Sequence, residues 1–271
     1  MAVERIDSAD DARVAAYRGV RDGDLLRAKG LFVAEGRIVV RRVIDDPRYV
    51  VQSVLVNEAA LKYLEPALTV LAADVPVLVC RAGDLAAAAG YDVHRGCLAL
   101  VHRPPPSEVD EVVAAARLLV VLEGVSNADN VGSVFRSAAA FGAGVLLSPT
   151  CCDPLYRKAI RTSMGAVLRV PFARADDGDW PGVLVRIGAA GFTTVALTPR
   201  EPCEPLEAFT RRPRPARVAL IVGTEGAGVS AAAEAAADYR VRIPIDGDVD
   251  SLNLAVAAGI AIYTISWSTR T

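Results

Sequence analysis

Apolar residues recur in short continuous runs through the second half of the chain, and helical patterns separate these runs. Leu118–Leu122 and Arg217–Val222 consist mainly of strand-forming apolar residues, as is typical of strands buried on both faces. The other predicted strands are Gly144–Leu147, Val167–Phe172, Phe192–Leu197 and Tyr239–Ile243, and the predicted helices are Val131–Phe141, Pro154–Met164 and Trp180–Ala190. This alternation predicts an α/β fold: a mostly parallel sheet with helices on both faces, and ligands beyond the carboxyl ends of its strands.

Residues 1–103 show the same mixture on a smaller scale. The predicted helices are Asp7–Arg21, Arg37–Ile44, Glu58–Leu71 and Ala82–Ala89, and the predicted strands are Gly30–Gly36, Val50–Val56, Val75–Cys80 and Cys97–His102. A proline run, Arg103–Glu108, follows and is expected to be extended. We therefore predict a small α/β domain at 1–103, a linker at 104–116 and a second domain at 117–271. A long surface loop within one domain is the alternative for the proline run.

The last apolar segment has no polar face. Leu252–Tyr263 is apolar on every side, and Ser251 before it supplies an oxygen that can cap a helix. Such a helix is expected to be buried, in its own domain, against a second subunit, or both. Ser251 and Asn253 then lie at the start of a buried helix, where free backbone N–H groups can bind a small polar ligand. Helix capping alone is the alternative role for these two residues.

Composition narrows the class of protein. The chain has 271 residues, of which 52% are hydrophobic and 23% charged, as expected for a packed globular protein. We recognise no leader and no apolar run long enough to cross a bilayer, so we expect a cytoplasmic protein with no membrane partner. The five cysteines lack paired C-x-x-C spacing, and the two histidines are not clustered. We therefore expect reduced cysteines and no metal site.

Two glycine-containing loops follow predicted buried strands. The first, Asn127–Arg136, leads from a strand into a helix; Gly132 allows close backbone approach, and Asn130 offers a side-chain cap. The second, Gly223–Gly228, lacks the lysine of a phosphate-binding P-loop, and its G-x-x-G-x-G spacing differs from the dinucleotide fingerprint. Its glycines could admit an adenosine against bare backbone, with Glu225 closing the site.

Together with Ile243–Pro244 and Ser251–Asn253, these loops give three ordered motifs between about Leu118 and Tyr263. This trio resembles the SpoU (TrmH) family of S-adenosylmethionine-dependent RNA ribose 2′-O-methyltransferases, in the SPOUT superfamily. The resemblance implies a deep trefoil knot, which the chain pattern does not itself predict. It also implies a homodimer with its active site near the subunit interface, and a ribosomal-protein-like RNA-binding module at the N-terminus.

The resemblance assigns roles to single residues of this chain. The implied catalytic residues are Asn130, Arg136, Glu225, Ser251 and Asn253. The implied S-adenosylmethionine site consists of Leu197, Thr198, Gly223, Glu225, Gly226, Ile243, Pro244, Ser251, Leu252 and Asn253. Arg136, Arg157, Lys158 and Arg161 are the candidates for RNA contact, although the last three could equally form a solvated basic helix face. Arg136 could activate the ribose hydroxyl or could clamp a phosphate and the developing alkoxide, since a guanidinium is a poor proton acceptor.

Two other functions stay open at this point. One is a non-catalytic RNA-binding or ribosome-assembly protein that retains the knotted fold. The other is a nicotinamide-dependent oxidoreductase, which the glycine spacing disfavours. The sequence does not distinguish ribosomal from transfer RNA, nor does it name the modified nucleotide or separate a housekeeping role from antibiotic resistance. The net charge of −2 leaves the affinity for naked RNA open.

Overall fold

Residues 2–18, 22–213, 215–247 and 251–267 are described by the computed structural model. The polypeptide forms two units. A short segment from the second half of the sequence belongs to the N-terminal unit, although the residues before and after it belong to the C-terminal unit. The N-terminal unit contains Met1–Pro105 and Leu155–Leu168, and the C-terminal unit contains Pro106–Pro154 and Arg169–Thr271.

The N-terminal unit is a five-stranded mixed sheet with helices. Its strands are β1 Ala2–Arg5, β2 Leu31–Glu35, β3 Val51–Asn57, β4 Pro76–Cys80 and β5 Cys97–His102, and its α-helices are α1 Asp22–Lys29, α2 Arg37–Asp45, α3 Glu58–Leu68, α4 Ala82–Ala89 and α7 Arg157–Thr162. The strand order is β1-β4-β3-β5-β2, and β5 is antiparallel to both of its neighbours. Leu55, Leu78 and Leu98 from the sheet pack in one core with Tyr17.

The C-terminal unit is built on a seven-stranded sheet. Its strands are β6 Leu118–Glu123, β7 Gly144–Leu147, β8 Phe172–Arg174, β9 Thr193–Leu197, β10 Glu204–Pro205, β11 Val218–Gly223 and β12 Tyr239–Arg242. Its α-helices are α5 Val109–Ala115, α6 Ala128–Phe141, α8 Gly182–Ala189, α9 Leu206–Thr210, α10 Ala231–Ala236 and α11 Leu254–Trp267. The strand order is β10-β12-β9-β11-β6-β7-β8, and every neighbouring pair is parallel. The predicted α/β class with a mostly parallel sheet is confirmed.

Local chemistry explains where α6 begins and ends. The Asn127 side chain accepts a hydrogen bond from the backbone N–H of Asp129 at 2.9 Å and so caps the first turn. Gly142 ends the helix in the left-handed region, with φ of 69°, and its N–H donates to the carbonyl of Ala138. The helix therefore starts at the carboxyl edge of the sheet, immediately after β6.

The structure differs from the predicted elements in several places. The predicted linker 104–116 contains helix α5, whose Val112 and Val113 are buried in the core of the C-terminal unit. A 3-10 turn, Ala166–Leu168, and the later strand β8 replace the strand predicted at Val167–Phe172. Helix α5 has a local signal in the sequence, since Glu108 and Glu111 form a capping box and Val109, Val112 and Val113 lie at helical spacing. The run Val167–Phe172 is too short for its pattern to distinguish a strand from a helical turn.

A second difference concerns two helices. Of the helix predicted at Asp7–Arg21, the structure describes residues 7–18, and these contain the 3-10 turn Ala12–Tyr17 and no α-helix. Asp11 accepts from the Arg13 N–H and holds this local turn. The remainder of the predicted helix, 19–21, lies outside the described residues. The last helix begins at Leu254, not Leu252. Its cap is Asn253 rather than Ser251, because the side-chain oxygen Oδ1 of Asn253 accepts from the N–H groups of Ala255 and Val256 at 3.0 and 3.3 Å.

Helix α11 is not buried on every side within one chain. Ala258, Ile262 and Ile265 face the core of the C-terminal unit. Val256, Ile260 and Tyr263, at i, i+4 and i+7, are 52%, 39% and 50% exposed. These three residues, called here the α11 stripe, form a partly exposed apolar surface on one side of the helix.

The five cysteines are free thiols, and four of them are buried. Burial raises the pKa of Cys80 to about 11 and that of Cys97 to about 12. Thiolates at these two positions are therefore rare at neutral pH, which agrees with a structural role.

The segment Leu155–Leu168 is built into the N-terminal unit by polar contacts. Arg157 Nη1 lies 3.3 Å from Oε2 of Glu35, whose side chain is fully buried, and its guanidinium lies 3.6 Å from the centre of the Tyr91 ring. Arg42 Nη1 donates to the carbonyls of Met164 and Gly165 at 3.1 and 2.8 Å. A buried carboxylate thus has a cationic partner that comes from a remote part of the sequence.

We predict that Arg157→Ala lowers the free energy of unfolding by about 2 kcal/mol, because Glu35 loses its ion pair. The loss is smaller than for a fully buried pair since Arg157 is 28% exposed. Urea unfolding followed by circular dichroism measures it. Adding Glu35→Gln to Arg157→Ala should recover part of the loss, and Arg81→Ala, which breaks an exposed ion pair with Asp84, serves as the control. Equal effects of Arg157→Ala and Arg81→Ala would contradict the assignment.

Candidate active site

A cavity of about 430 Å³ opens at the carboxyl edge of the parallel sheet, within the C-terminal unit. The loops after β9, β11 and β12 and the start of α11 form it. Its lining residues are Leu197, Thr198, Pro199, Val222, Gly223, Thr224, Glu225, Gly226, Gly228, Arg242, Ile243, Ile245, Ser251, Leu252, Asn253, Leu254 and Ala257. This is the edge at which parallel α/β sheets bind ligands.

The predicted cofactor-binding residues lie together around this cavity, with one exception. Pro244 is exposed and does not line the cavity, although Ile243 and Ile245 on either side of it do. Sequence reasoning missed Thr224 and Ile245, which directly follow predicted site residues. It also missed Ala257, one helical turn after Asn253, because an apolar helix residue gives no chemical signal.

The glycine turn after β11 allows a tight backbone approach. A Cβ atom on Gly223 would lie 2.0 Å from the carbonyl carbon of Gly228 and 2.1 Å from its oxygen. The Gly228 N–H donates to the Thr224 carbonyl at 2.9 Å, which closes the turn. Gly226 and Gly228 have φ of 81° and 70°, a region that residues with side chains rarely adopt. The turn therefore presents bare backbone to the cavity.

Three side chains from three loops form one hydrogen-bonded network. The amide nitrogen of Asn130 donates to Oε1 of Glu225 at 2.9 Å. The amide nitrogen of Asn253 lies 3.2 Å from the side-chain oxygen of Asn130 and 3.2 Å from the same Glu225 oxygen. Asn130 is buried. We call this set the Asn130–Glu225–Asn253 network, and it holds the Glu225 carboxylate at the cavity wall.

Residues behind the loops hold them in place. Glu123, at the end of β6, accepts from the Trp180 indole N–H at 3.0 Å and from the Ser230 N–H at 2.8 Å. It thereby ties the loop before α6 to the segment after the glycine turn. A carboxylate that directly ends a buried apolar strand is a signal that sequence reasoning could have used.

A second support is Arg174, in β8. Its guanidinium donates to the carbonyls of Ser148, Pro149, Cys151 and Cys152, at 2.8 to 3.3 Å. The Ser148 hydroxyl in turn accepts from the Gly124 N–H at 2.9 Å. Arg174 thus fixes the loop after β7 against the loop that leads to Asn130, and no spacing in the sequence indicated this role.

Arg136 does not line the cavity. It lies on α6, six residues after Asn130, which corresponds to a rise of about 9 Å and a different face of the helix. It is exposed, and it makes no hydrogen bond or ion pair with the described residues. Ser251 does line the cavity. The structure therefore brings Asn130, Glu225, Ser251 and Asn253 together within one chain and leaves Arg136 apart.

The other candidate RNA contacts belong to the N-terminal unit. Lys158 and Arg161 on α7 are exposed, whereas Arg157 is half-buried in its contacts with Glu35 and Tyr91. Arg157 is thus committed to the structure of its own unit. The described residues contain no group of three or more His, Cys, Asp or Glu side chains placed to hold a metal ion. None of the helices in the described ranges is long and apolar enough to cross a membrane.

Comparison with known proteins identifies the family. The model of the SpoU rRNA methylase family matches residues 117–263, more than half of the chain. The chain belongs to the SpoU family of RNA methyltransferases. An uncharacterized tRNA/rRNA methyltransferase of Mycobacterium tuberculosis is 39% identical to this SpoU protein over 267 residues, which cover 96% of this chain and 91% of the relative.

Solved structures show the same fold along the whole SpoU chain. One, described as an RNA 2′-O ribose methyltransferase, is 27% identical with a TM-score of 0.79 and covers 99% of this chain and 100% of that chain. The AdoMet-bound rRNA methyltransferase of Sinorhizobium meliloti is 23% identical with a TM-score of 0.81, and 99% of each chain is covered. The likeness therefore includes the N-terminal unit as well as the family-model region.

We predict that Gly223→Ala disrupts the glycine turn, because the added methyl group meets backbone atoms that cannot move aside. The expected cost is about 1–3 kcal/mol of unfolding free energy, measured by urea unfolding. Gly188→Ala is the matched control, since a Cβ there meets no heavy atom within 4 Å and the substitution lies inside α8, where alanine is favoured. Wild-type stability of Gly223→Ala would show that the close approach to Gly228 is not rigid.

Proposed function

We propose that this SpoU protein is an S-adenosylmethionine-dependent methyltransferase that acts on a ribose 2′-hydroxyl of transfer or ribosomal RNA. The observation that carries the proposal is the cavity at the sheet edge, with the Asn130–Glu225–Asn253 network in its wall. Support comes from relatives named as tRNA/rRNA methyltransferases and from a structural neighbour named as an RNA 2′-O ribose methyltransferase.

The residues present fit S-adenosylmethionine. A cavity of about 430 Å³ lies in the range of small-molecule cofactor sites. Leu197, Ile243 and Leu252 offer apolar contact for an adenine ring. Gly226 also lines the cavity, and a Cβ there would meet no heavy atom within 4 Å, so the backbone at Gly226 is open to a close ligand. Glu225 supplies a negative charge beside a cationic ligand. When bound, this cofactor supplies a methyl group on a positively charged sulfur.

The protein's own residues would position the second reactant. Asn130 orients Glu225 and is itself held by Asn253, so this wall of the cavity is rigid before RNA arrives. Because methyl transfer needs the ribose oxygen in line with the methyl group, positioning should supply much of the rate. Arg136, an exposed cation without an intramolecular partner among the described residues, is suited to clamp the adjacent phosphate and to stabilise the developing alkoxide.

We further propose a homodimer that shares its active site between subunits. The α11 stripe is an apolar surface that a second copy would cover. Tyr263 in that stripe contacts Phe141 of α6, with ring centroids 5.7 Å apart, so the helix that carries Arg136 lies beside the proposed interface. Arg136 does not reach the cavity of its own chain. A partner's cavity is then the place where it would act.

The knot and the RNA-binding role of the N-terminal unit also remain proposals. After β12, which lies beyond β9 from β11, the chain returns to place Asn253 next to Asn130. Such a return is compatible with a trefoil knot, in which the chain would also pass through a loop. For the N-terminal unit, the support is its exposed basic residues, including Lys158 and Arg161.

The test of the proposal is transfer of labelled methyl from S-adenosylmethionine to total RNA from a strain that lacks this protein. We expect one methylated ribose, mapped by the block it causes to alkaline cleavage at that position. A protein that binds the cofactor but labels neither bulk RNA nor ribosomal precursor particles would be a non-catalytic RNA-binding or assembly protein instead.

We predict that Arg136→Ala lowers kcat by about 10²–10³-fold, the usual cost of losing one group that stabilises transition-state charge. Affinity for S-adenosylmethionine, measured by calorimetry, should stay at the wild-type value, because the proposed contacts of Arg136 are with the RNA phosphate and the ribose oxygen and not with the cofactor. The control is Arg186→Ala, which removes an exposed arginine of α8 that pairs with Asp179. It should leave kcat and the affinity for S-adenosylmethionine unchanged. Loss of cofactor binding in Arg136→Ala would contradict the proposed role, since it would mean that Arg136 helps to bind S-adenosylmethionine.

We predict that Ile260→Glu shifts the protein from dimer to monomer in analytical ultracentrifugation, because it puts a charge in the α11 stripe. Val185→Glu is the control, since Val185 is an equally apolar, 65% exposed residue on α8. Mixing the inactive variants Arg136→Ala and Asn130→Ala should restore part of the methyl transfer, since some heterodimers then contain one intact shared site. No recovery, although the subunits exchange, would mean that each site is complete within its own chain.

A further inference from the structure

A basic and aromatic surface on the N-terminal unit has no role in the reaction described above. It consists of Arg37 on α2, Lys62 and Tyr63 on α3, and Arg95 in the turn before β5; we call it the Arg37–Tyr63 surface. The Arg37 guanidinium carbon lies 5.4 Å from the centre of the Tyr63 ring. Tyr63 is 46% exposed, so much of a large aromatic side chain faces water.

The backbone at Arg95 is strained in a way that keeps this surface together. Arg95 has φ of 60°, one of two non-glycine residues with positive φ in the described chain, and Gly96 after it has φ of 70°. The Arg95 carbonyl accepts from Arg37 Nε at 3.2 Å. A Cβ on Gly96 would lie 2.0 Å from the Asn57 side chain, so the turn is held tightly against the start of α3. Strained backbone that the surrounding structure maintains is often found at functional sites.

The acidic residues near the Arg37–Tyr63 surface leave its basic side chains able to bind an anionic ligand. Glu58, the carboxylate at the start of α3, is paired with Arg5 at 2.7 Å. Glu65 and Asp92 are exposed acids on the flanking α3 and turn segments. Lys62 makes no ion pair with the described residues, and the Tyr63 hydroxyl makes no hydrogen bond with them. Arg37 thus lies against the Tyr63 ring, the Arg95 backbone is bound to Arg37, and Lys62 precedes Tyr63 on α3. The exposed part of the ring leaves room for a further stacking partner.

We propose that the Arg37–Tyr63 surface binds an unpaired segment of the RNA substrate, with one base stacked on Tyr63 and phosphates at Arg37, Lys62 and Arg95. The proposal rests on RNA being the substrate, as argued above. Stacking on an aromatic ring requires a base that is free of its duplex, whereas duplex RNA is bound through its backbone and minor groove. The surface therefore favours a loop or a bulge over a continuous helix.

The experiment uses the full-length protein and two fluorescein-labelled RNAs, a hairpin with an unpaired uridine-rich loop and a continuous duplex of equal length. Fluorescence anisotropy gives the Kd of each. We expect Tyr63→Ala to weaken hairpin binding about tenfold, the loss typical of one stacked base, and to leave duplex binding unchanged. Tyr63→Phe should keep hairpin binding, since the ring remains. Arg81→Gln, an exposed arginine of the same unit paired with Asp84, is the charge control.

The outcomes separate this proposal from the proposed function. If wild type methylates RNA while Tyr63→Ala has an unchanged Kd for the hairpin and an unchanged KM for RNA, the surface does not bind substrate and the catalytic proposal stands. If Tyr63→Ala weakens hairpin and duplex equally, base stacking is refuted. If wild type labels no RNA but hairpin binding depends on the Tyr63 ring, the surface is an RNA site and the catalytic proposal fails.

Discussion

The Asn130–Glu225–Asn253 network is the interaction on which the functional edge of the C-terminal unit depends. Its three members follow β6, β11 and β12, which are separated widely in sequence, and each donates to or accepts from the others. Asn253 also caps α11 with its side-chain oxygen, so the same residue fixes the start of the last helix. Because Asn130 is buried, loss of one member would leave a polar group without a partner inside the unit.

Hydrogen bonds from residues behind the loops hold the cavity wall in place around this network. Glu123 and Arg174 each bind groups from neighbouring loops, and both occupy the ends of strands in the sheet. The strands of a parallel sheet are held by their neighbours and by the helices on both faces. The residue at which each loop leaves its strand therefore has a fixed position. Glu123 and Arg174 fix backbone groups farther along the loops. Catalysis that depends on positioning requires loops that are held at the strand and along their length.

Many elements of the fold and several site residues could be predicted from the sequence, because the relevant signals are local. Leu118–Leu122, Gly144–Leu147 and Gly142 as a helix end follow from apolar runs and glycine chemistry, and the structure has them where the sequence places them. The site residues near the glycine turn followed from an ordered set of motifs. Helix α5 was missed although its capping box at Glu108 and Glu111 is a local signal. The cap at Asn253 did not follow, because Ser251 and Asn253 lie two residues apart and either residue type can cap a helix.

The separation of Arg136 from the cavity was likewise invisible in the sequence. Arg136 lies four residues after Gly132, a spacing of about one helical turn, yet Gly132 is buried and Arg136 is exposed. Which face of α6 turns towards the cavity depends on how the helix packs against α11 and the sheet, a tertiary property that helical periodicity does not contain. The membership of Leu155–Leu168 in the N-terminal unit has the same origin, since the buried Glu35 that recruits Arg157 lies far upstream.

That last feature has a consequence for biosynthesis. The N-terminal unit includes Leu155–Leu168, which the ribosome makes only after β6, α6 and β7 of the other unit. The ion pair of Glu35 with Arg157, and the hydrogen bonds of Arg42 with the carbonyls of Met164 and Gly165, can form only after that synthesis. The vectorial order in which domains usually fold during translation is therefore interrupted here. The N-terminal unit can therefore complete its structure only after the first two strands of the parallel sheet, β6 and β7, have been made.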